Sequence, residues 1–187
     1  MPYLYEDRYQ WYESFTELGE SISNPNPTSA IELMLKVLEH LKDDCAWPAS
    51  RIHLFGFGQG GSVALETAVK YWRDQLLLDK ENVPATSVGS IVTVSGPLLS
   101  FPTLSVVNPT PVLVIHRPKS EDFSLPTGAL PAFKKAFASV RQMKLGSKGN
   151  EGMPTSKEEW QPIMEFWSEK LGRRQMEGLY EVMTGQT

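Results

Sequence analysis

The hexapeptide Gly56-Phe57-Gly58-Gln59-Gly60-Gly61 is the part of this chain whose residue types and spacing could do chemistry. It joins an apolar run, "RIHLFGF", to a helix-forming run, "SVALETAVKYW". Two chemistries use a glycine-rich turn in that setting. Gly56, Gly58 and Gly61 satisfy Gly-x-Gly-x-x-Gly, the turn that brings helix N-terminal amides to a dinucleotide pyrophosphate. Gly56 and Gly60 also satisfy the flanks of Gly-x-Ser-x-Gly, the strained turn that lifts a nucleophile above a sheet. In that pattern the reactive position holds Gly58, which has no side chain. A third reading is bland: glycines allow a tight strand-to-helix turn in any α/β domain.

The dinucleotide reading needs an acid at the end of the next strand. Asp79 and Glu81 have roughly the right offset, but they precede "SVGSIVTVS", and that strand ends in Ser95 and Gly96. No Lys-Ser or Lys-Thr follows the glycines, so the Walker pattern fails as well. Nucleotide binding stays an alternative that rests on glycines alone.

The elements around the turn follow from periodicity. A turn-rich linker, "SISNPNPTS", cannot propagate a helix, and Thr28 or Ser29 is placed to cap the next one. Ile31, Met34, Leu35, Leu38 and Leu41 recur at helical spacing up to Asp43-Asp44. A strand is expected over 52–57 and a helix over about 60–78. "SVGSIVTVS" (87–95) and "TPVLVIH" (110–116) are short, β-branched and nearly all apolar, as strands of a sheet covered on both faces are. Between them "GPLLSFPTLSVVNP" reads as a loop. A helix is expected over 129–140, a short strand over 142–145, and then the loop "GSKGNEGMPTS". The last helix starts at Ser156, with Glu158 and Glu159 facing its positive end and Trp160, Ile163, Met164, Trp167 and Leu171 on its apolar face. Helices alternating with apolar strands predict a three-layer α/β sandwich with a mostly parallel sheet. The expected organisation is an aromatic segment and linker over 1–29, the α/β domain over 30–172, and a tail over 173–187 that could carry a short helix.

Composition narrows the partners. The chain has 187 residues, one cysteine and a net charge of −4. That balance argues against nucleic acid or an anionic membrane as the main partner. A lone Cys45 excludes an internal disulfide and suits a reducing compartment. No run reaches the ~20 apolar residues of a membrane span, and the aromatic, charged opening "MPYLYEDRYQWYESF" lacks a signal-peptide core. The expectation is a soluble cytoplasmic protein. Three scattered histidines offer no metal-ligand spacing, so neither metal nor cofactor is expected.

Four segments together resemble one family. "GFGQGGSVAL" is similar to the elbow Gly-Phe-Ser-Gln-Gly-Gly of the phospholipase/carboxylesterase family of α/β-hydrolases, which includes acyl-protein thioesterases. "VTVSGPLL" resembles its Leu-Ser-Gly-x-Leu segment, and "TPVLVIH" the strand before its catalytic acid. "WYESF" is more loosely similar to its Trp-Phe/Tyr-Asp stretch. The resemblance runs from about residue 10 to residue 171 and implies an α/β-hydrolase-like fold, with the family's first strands and their oxyanion loop missing.

Such a family hydrolyses acyl esters or thioesters with a Ser-His-Asp triad. Carried over, its serine falls on Gly58 and its oxyanion amide on Gln59. Its acid falls on Glu121 or, preferably, Asp122, and its histidine on Pro154 or Thr155. No histidine follows His116. Losing nucleophile or base alone costs about 10⁶-fold in rate, or roughly 8 kcal/mol of barrier. The resemblance therefore implies a pseudohydrolase: a binding module for an acyl group, a lipid or a protein. Phe57, Gly58, Gln59, Ser95 and His116 are its candidate contact residues.

Two enzyme alternatives stay open. One is a site completed by strands outside the chain. The other is a rebuilt cluster of Ser95, His116 and Asp122 at the strand ends, although the family keeps a non-catalytic histidine at the place of His116. Ser62 is expected to bond a backbone carbonyl within its helix. His53 reads as a core or edge residue and His40 as a favourable helix-end cation. Finally, a sheet without its early strands leaves an edge open. Either the aromatic segment 3–12 covers that edge or a second copy pairs with it as a homodimer.

Overall fold

A computed structural model describes residues 10–79, 84–118, 124–146 and 152–171. The elements are α1 (Thr28–Asp43), β1 (His53–Phe57), α2 (Gln59–Asp79), β2 (Ser90–Val94), β3 (Asn108–His116), α3 (Ala129–Ala136), β4 (Phe137–Lys144) and α4 (Lys157–Lys170). The four strands form one sheet in the order β1-β2-β3-β4, and every pairing is parallel. This is the α/β sandwich that the alternation predicts.

Side-chain alternation divides the core between the two faces. Leu54, Ile91, Val112 and Val114 point to one side, against Leu38 of α1, Leu65 and Ala68 of α2 and Phe133 of α3. Val92, Val94, Leu113 and Ile115 point to the other, against Ile163 and Phe166 of α4. β2 is buried along its whole length, with Ile91, Val92 and Val94 apolar and its two polar residues, Ser90 and Thr93, hydrogen-bonded to His53 and to the Gly96 carbonyl. Each buried Val, Ile or Leu contributes roughly 1.5–3 kcal/mol of transfer free energy.

β2 runs into β3 through a loop without a helix, as the turn residues predict. Helix α2 takes over the anchoring. The Glu66 carboxylate accepts the amides of Leu99 and Ser100 at 2.7 and 2.8 Å and the Ser100 hydroxyl at 2.8 Å. Further along, Trp72 Nε1 donates to the Val106 carbonyl at 2.9 Å.

Two expectations need correction. The helix over 129–140 stops at Ala136, and residues 137–144 form the edge strand β4. Paired on one side only, β4 carries exposed Arg141 and Lys144 and buries little besides Phe137, so its alternation is weak. Thr28 does not cap α1 but is its first residue. Pro27 stands at the cap position without a side-chain cap bond, and just before it the Asn26 side-chain oxygen accepts the Thr28 amide at 3.1 Å and its hydroxyl at 2.6 Å. By contrast, Ser156 does cap α4, accepting the Glu159 amide at 3.3 Å. The tail 173–187 and the opening nine residues lie outside the described residues.

Candidate functional site

The turn after β1 has the geometry of a nucleophile elbow. Gly58 lies in the left-handed region at φ +51°. Its amide donates to the Val94 carbonyl at 2.8 Å, and its carbonyl accepts the Ser62 amide at 3.1 Å. A Cβ on Gly56 would collide with the Gly60 backbone, and one on Gly61 with the Thr93 hydroxyl. Both glycines are therefore required by close approach. Position 58 is different. A Cβ there would meet nothing within 4 Å among the described residues. Among the described residues the crest is open, and the residue on it has no side chain to place there.

Gln59 follows the crest and opens α2. Its side chain holds the N-terminal segment across the turn. Oε1 accepts the Trp11 amide at 2.9 Å, and Nε2 donates to the Tyr12 carbonyl at 3.0 Å and the Ser14 hydroxyl at 2.8 Å. The Trp11 indole nitrogen comes within 3.3 Å of where a Gly60 Cβ would stand. Tyr12 is carried towards Ser62. Burial pushes its phenol up, and Glu66 adds to the effect while Ser62 opposes it. The Ser62 hydroxyl corrects another expectation: it is buried, yet it bonds no carbonyl. Among the described residues no donor or acceptor meets it at hydrogen-bonding geometry, although the Tyr12 hydroxyl is near enough to feel it.

Phe57, Ser95 and His116 end or follow three adjacent strands. Val94 is in register with Phe57 and with Ile115, so the three come together at the carboxyl edge of the sheet. Ser95 is buried and left-handed at φ +59°, an uncommon conformation for a residue with a Cβ. His116 is buried, and burial together with nearby Lys144 lowers its pKa. Its Nε2 lies 2.7 Å from Gln142 Nε2, while its Nδ1 has no hydrogen-bond partner among the described residues. Neither ring nitrogen bonds Ser95, so the two side chains do not form a nucleophile–base pair. Glu121 and Asp122 lie outside the described residues.

The loop that carries Pro154 and Thr155 is held by an ion pair. Arg117, next after β3, meets Glu159 of α4 with both nitrogens, at 2.8 and 3.0 Å. It also donates to the Gly146 and Met153 carbonyls at 2.7 and 3.2 Å. Glu159 additionally accepts the Thr155 amide at 2.9 Å. The Arg117 guanidinium holds the Glu159 carboxyl below its ordinary pKa. Pro154 is buried and Thr155 exposed. A neutral proline and a threonine thus occupy a loop pinned by charge, and neither can take a proton from a nucleophile.

The remaining features are structural. His53 Nδ1 lies 2.8 Å from Ser90 Oγ in the neighbouring strand. Trp160 and Trp167 pack on Phe55 with ring centroids 6.0 and 5.8 Å away. No acid ends β2, because Asp79 closes α2 instead. Among the described residues no group of three or more His, Cys, Asp or Glu could hold a metal. A cavity of about 210 Å³ lies between α1 and α2, lined by Ile31, Leu35, Val69, Arg73 and others, but by none of the crest residues. No helix among the described residues is long and apolar enough to cross a membrane.

Residues 3–171 match the model of the phospholipase/carboxylesterase family. The chain belongs to this family. The uncharacterized hydrolase UM10204 of Mycosarcoma maydis is 32% identical over 175 residues. That alignment takes in 93% of this chain but 62% of the relative, so the chain spans less than two thirds of its curated relative. Solved structures agree on the fold. Esterase PE8 superposes with a TM-score of 0.61 at 18% identity, over 87% of this chain and 71% of that one. Arabidopsis thaliana SOBER1 gives 0.58 at 18% identity, over 87% and 74%. A phospholipase/carboxylesterase from Dyadobacter fermentans gives 0.54 at 20% identity, over 74% and 61%.

Sequence reasoning missed the Gln59 contacts and the Arg117–Glu159 pair. Nothing local to the glycine turn signals a partner 48 residues upstream. The only hint of the ion pair was a glutamate in the first turn of α4, read as a dipole effect.

Proposed function

We propose that this chain is a non-catalytic member of the phospholipase/carboxylesterase family, a pseudohydrolase that binds through its old strand-end site. One observation carries the reading: the elbow keeps its strained turn at Gly58, with open space above it among the described residues and no side chain on it. Pro154 and Thr155 at the aligned base positions support it, as does the absence of any histidine after His116. Phe57, Gly58, Gln59, Ser95 and His116 are the contact residues of this proposal. The ligand class is an acyl or lipid group or a protein segment.

An oxyanion amide at Gln59 would have nothing to stabilise, because an oxyanion presupposes an attack that starts it. Without a nucleophile and base, the remaining contribution is binding. The competing reading is an esterase that uses Ser95, favoured by its left-handed backbone at a strand end. A fluorophosphonate probe separates the two. The pseudohydrolase leaves the probe unreacted, whereas stoichiometric labelling of Ser95 or Ser62, located by peptide mapping, establishes the esterase.

A further inference from the structure

The end of α1 gathers three side chains that the strand-end site does not use: His40, Asp44 and Cys45. Backbone bonds fix where they stand. The His40 carbonyl accepts the amides of both Asp44 and Cys45, at 3.0 and 3.2 Å, so the chain closes over the last helical turn. Ala46 then turns left-handed at φ +54°, and the Trp47 amide donates to the Leu41 carbonyl at 2.9 Å. Cys45 is thereby held between two bonded turns.

The side chains complete the arrangement. His40 Nδ1 lies 2.5 Å from the Asp44 carboxylate. An ionised carboxylate only accepts, so Nδ1 carries a proton, and in the neutral ring Nε2 is left as a bare acceptor. That nitrogen is the one facing Cys45, whose Sγ lies 3.9 Å away, within the longer reach of sulfur. Lys42, the other cation of this turn, is directed to the Tyr71 ring instead, 5.4 Å from its centroid. A nucleophile, a base beside it and an acid that orients the base are the three parts that activate a thiol. All three are exposed, so the sulfur meets small electrophiles in the solvent.

We propose that Cys45 is a modification site, a thiol primed by His40 and Asp44 to form a mixed disulfide with a low-molecular-weight disulfide of the glutathione type. The thiol proton passes to His40 Nε2, and the resulting thiolate attacks one sulfur of the disulfide. A new S–S bond forms at Cys45 as the old one breaks. The departing thiolate takes the bond's electron pair and then the proton from His40, leaving as a free thiol. Cys45 is oxidised and the small disulfide reduced, with no further reagent. Asp44 acts only through His40, as a positioning residue. The proposal does not depend on the reading of the elbow.

The test follows adduct formation on the reduced full chain with glutathione disulfide, by mass spectrometry. Cys45 is the chain's one thiol, so a single adduct reports on it alone. The folded chain is expected to react about tenfold faster than the same chain unfolded in urea, where the three groups are no longer held together. His40→Gln is expected to slow the folded chain about tenfold, and Asp44→Asn to fall between the two. Both residues are exposed, with side chains 63% and 68% accessible, so neither change threatens the fold. A His40→Gln variant that reacts at the parent's rate overturns the proposal, as does a folded chain no faster than the unfolded one.

Discussion

Gln59 holds Trp11. The amide oxygen of the residue beside the elbow crest accepts the Trp11 backbone N–H at 2.9 Å, while its nitrogen spans the Tyr12 carbonyl and the Ser14 hydroxyl. The residue next after Gly58 thus carries a side chain committed to structure. One glutamine fastens a segment 45 to 48 residues away over the turn. Removing it should release that segment and leave the sheet intact. Each bond is worth about 1 kcal/mol net, and the site is half-open, so Gln59→Ala is expected to cost about 1–2 kcal/mol locally. Hydrogen exchange at the Trp11 amide checks this and should quicken roughly tenfold.

Gly58→Ser should fold. The space above the crest accepts a side chain, and the penalty is the left-handed backbone, about 1–2 kcal/mol for a residue with a Cβ. Thermal unfolding measures that cost. The same variant should remain unreactive to a fluorophosphonate, because no histidine is placed to take the serine proton.

Gly56→Ala should behave in the opposite way. Its Cβ would strike the Gly60 backbone, which cannot swing aside as a flexible side chain can. A loss of about 3 kcal/mol or more is expected, beyond ordinary overpacking. Comparing the two variants by denaturant unfolding separates a glycine required by contact from one that merely lacks a side chain.

Much of this fold was legible, for physical reasons that also explain the gaps. β2 and β3 are buried on both faces and so read as continuous apolar runs. α4 declares its start through Ser156, a cap whose partner is three residues on. β4 did not declare itself, because an edge strand carrying Arg141, Gln142 and Lys144 lacks the alternation of a buried one. Within the site, Gly58 was readable from its neighbours in sequence. The Arg117–Glu159 pair, 42 residues apart, was not, since nothing local to either residue specifies the other.

That pair supplies a pH signature. The Glu159 carboxyl is held below its ordinary value of 4.5 by Arg117. A depressed folded pKa means that the unfolded chain takes up the proton first as pH falls. The stabilisation is therefore complete above the ordinary value and is lost as pH falls through the depressed one. Arg117 is 3% exposed and Glu159 16%. Glu159→Gln should cost about 3 kcal/mol at pH 7, the low end for breaking a buried pair, because two carbonyls still face the guanidinium. Urea unfolding across pH checks it: the gap between parent and variant should stay constant from pH 8 to 6 and shrink below about 4.5.

The central claim is that the elbow survives without chemistry, and pre-steady-state ester hydrolysis tests it most directly. A chromogenic short-chain acyl ester mixed with the purified chain should give no burst and a rate equal to that of the buffer. A burst of one product per chain, followed by steady turnover, would mean that an acyl-enzyme forms and would contradict the account.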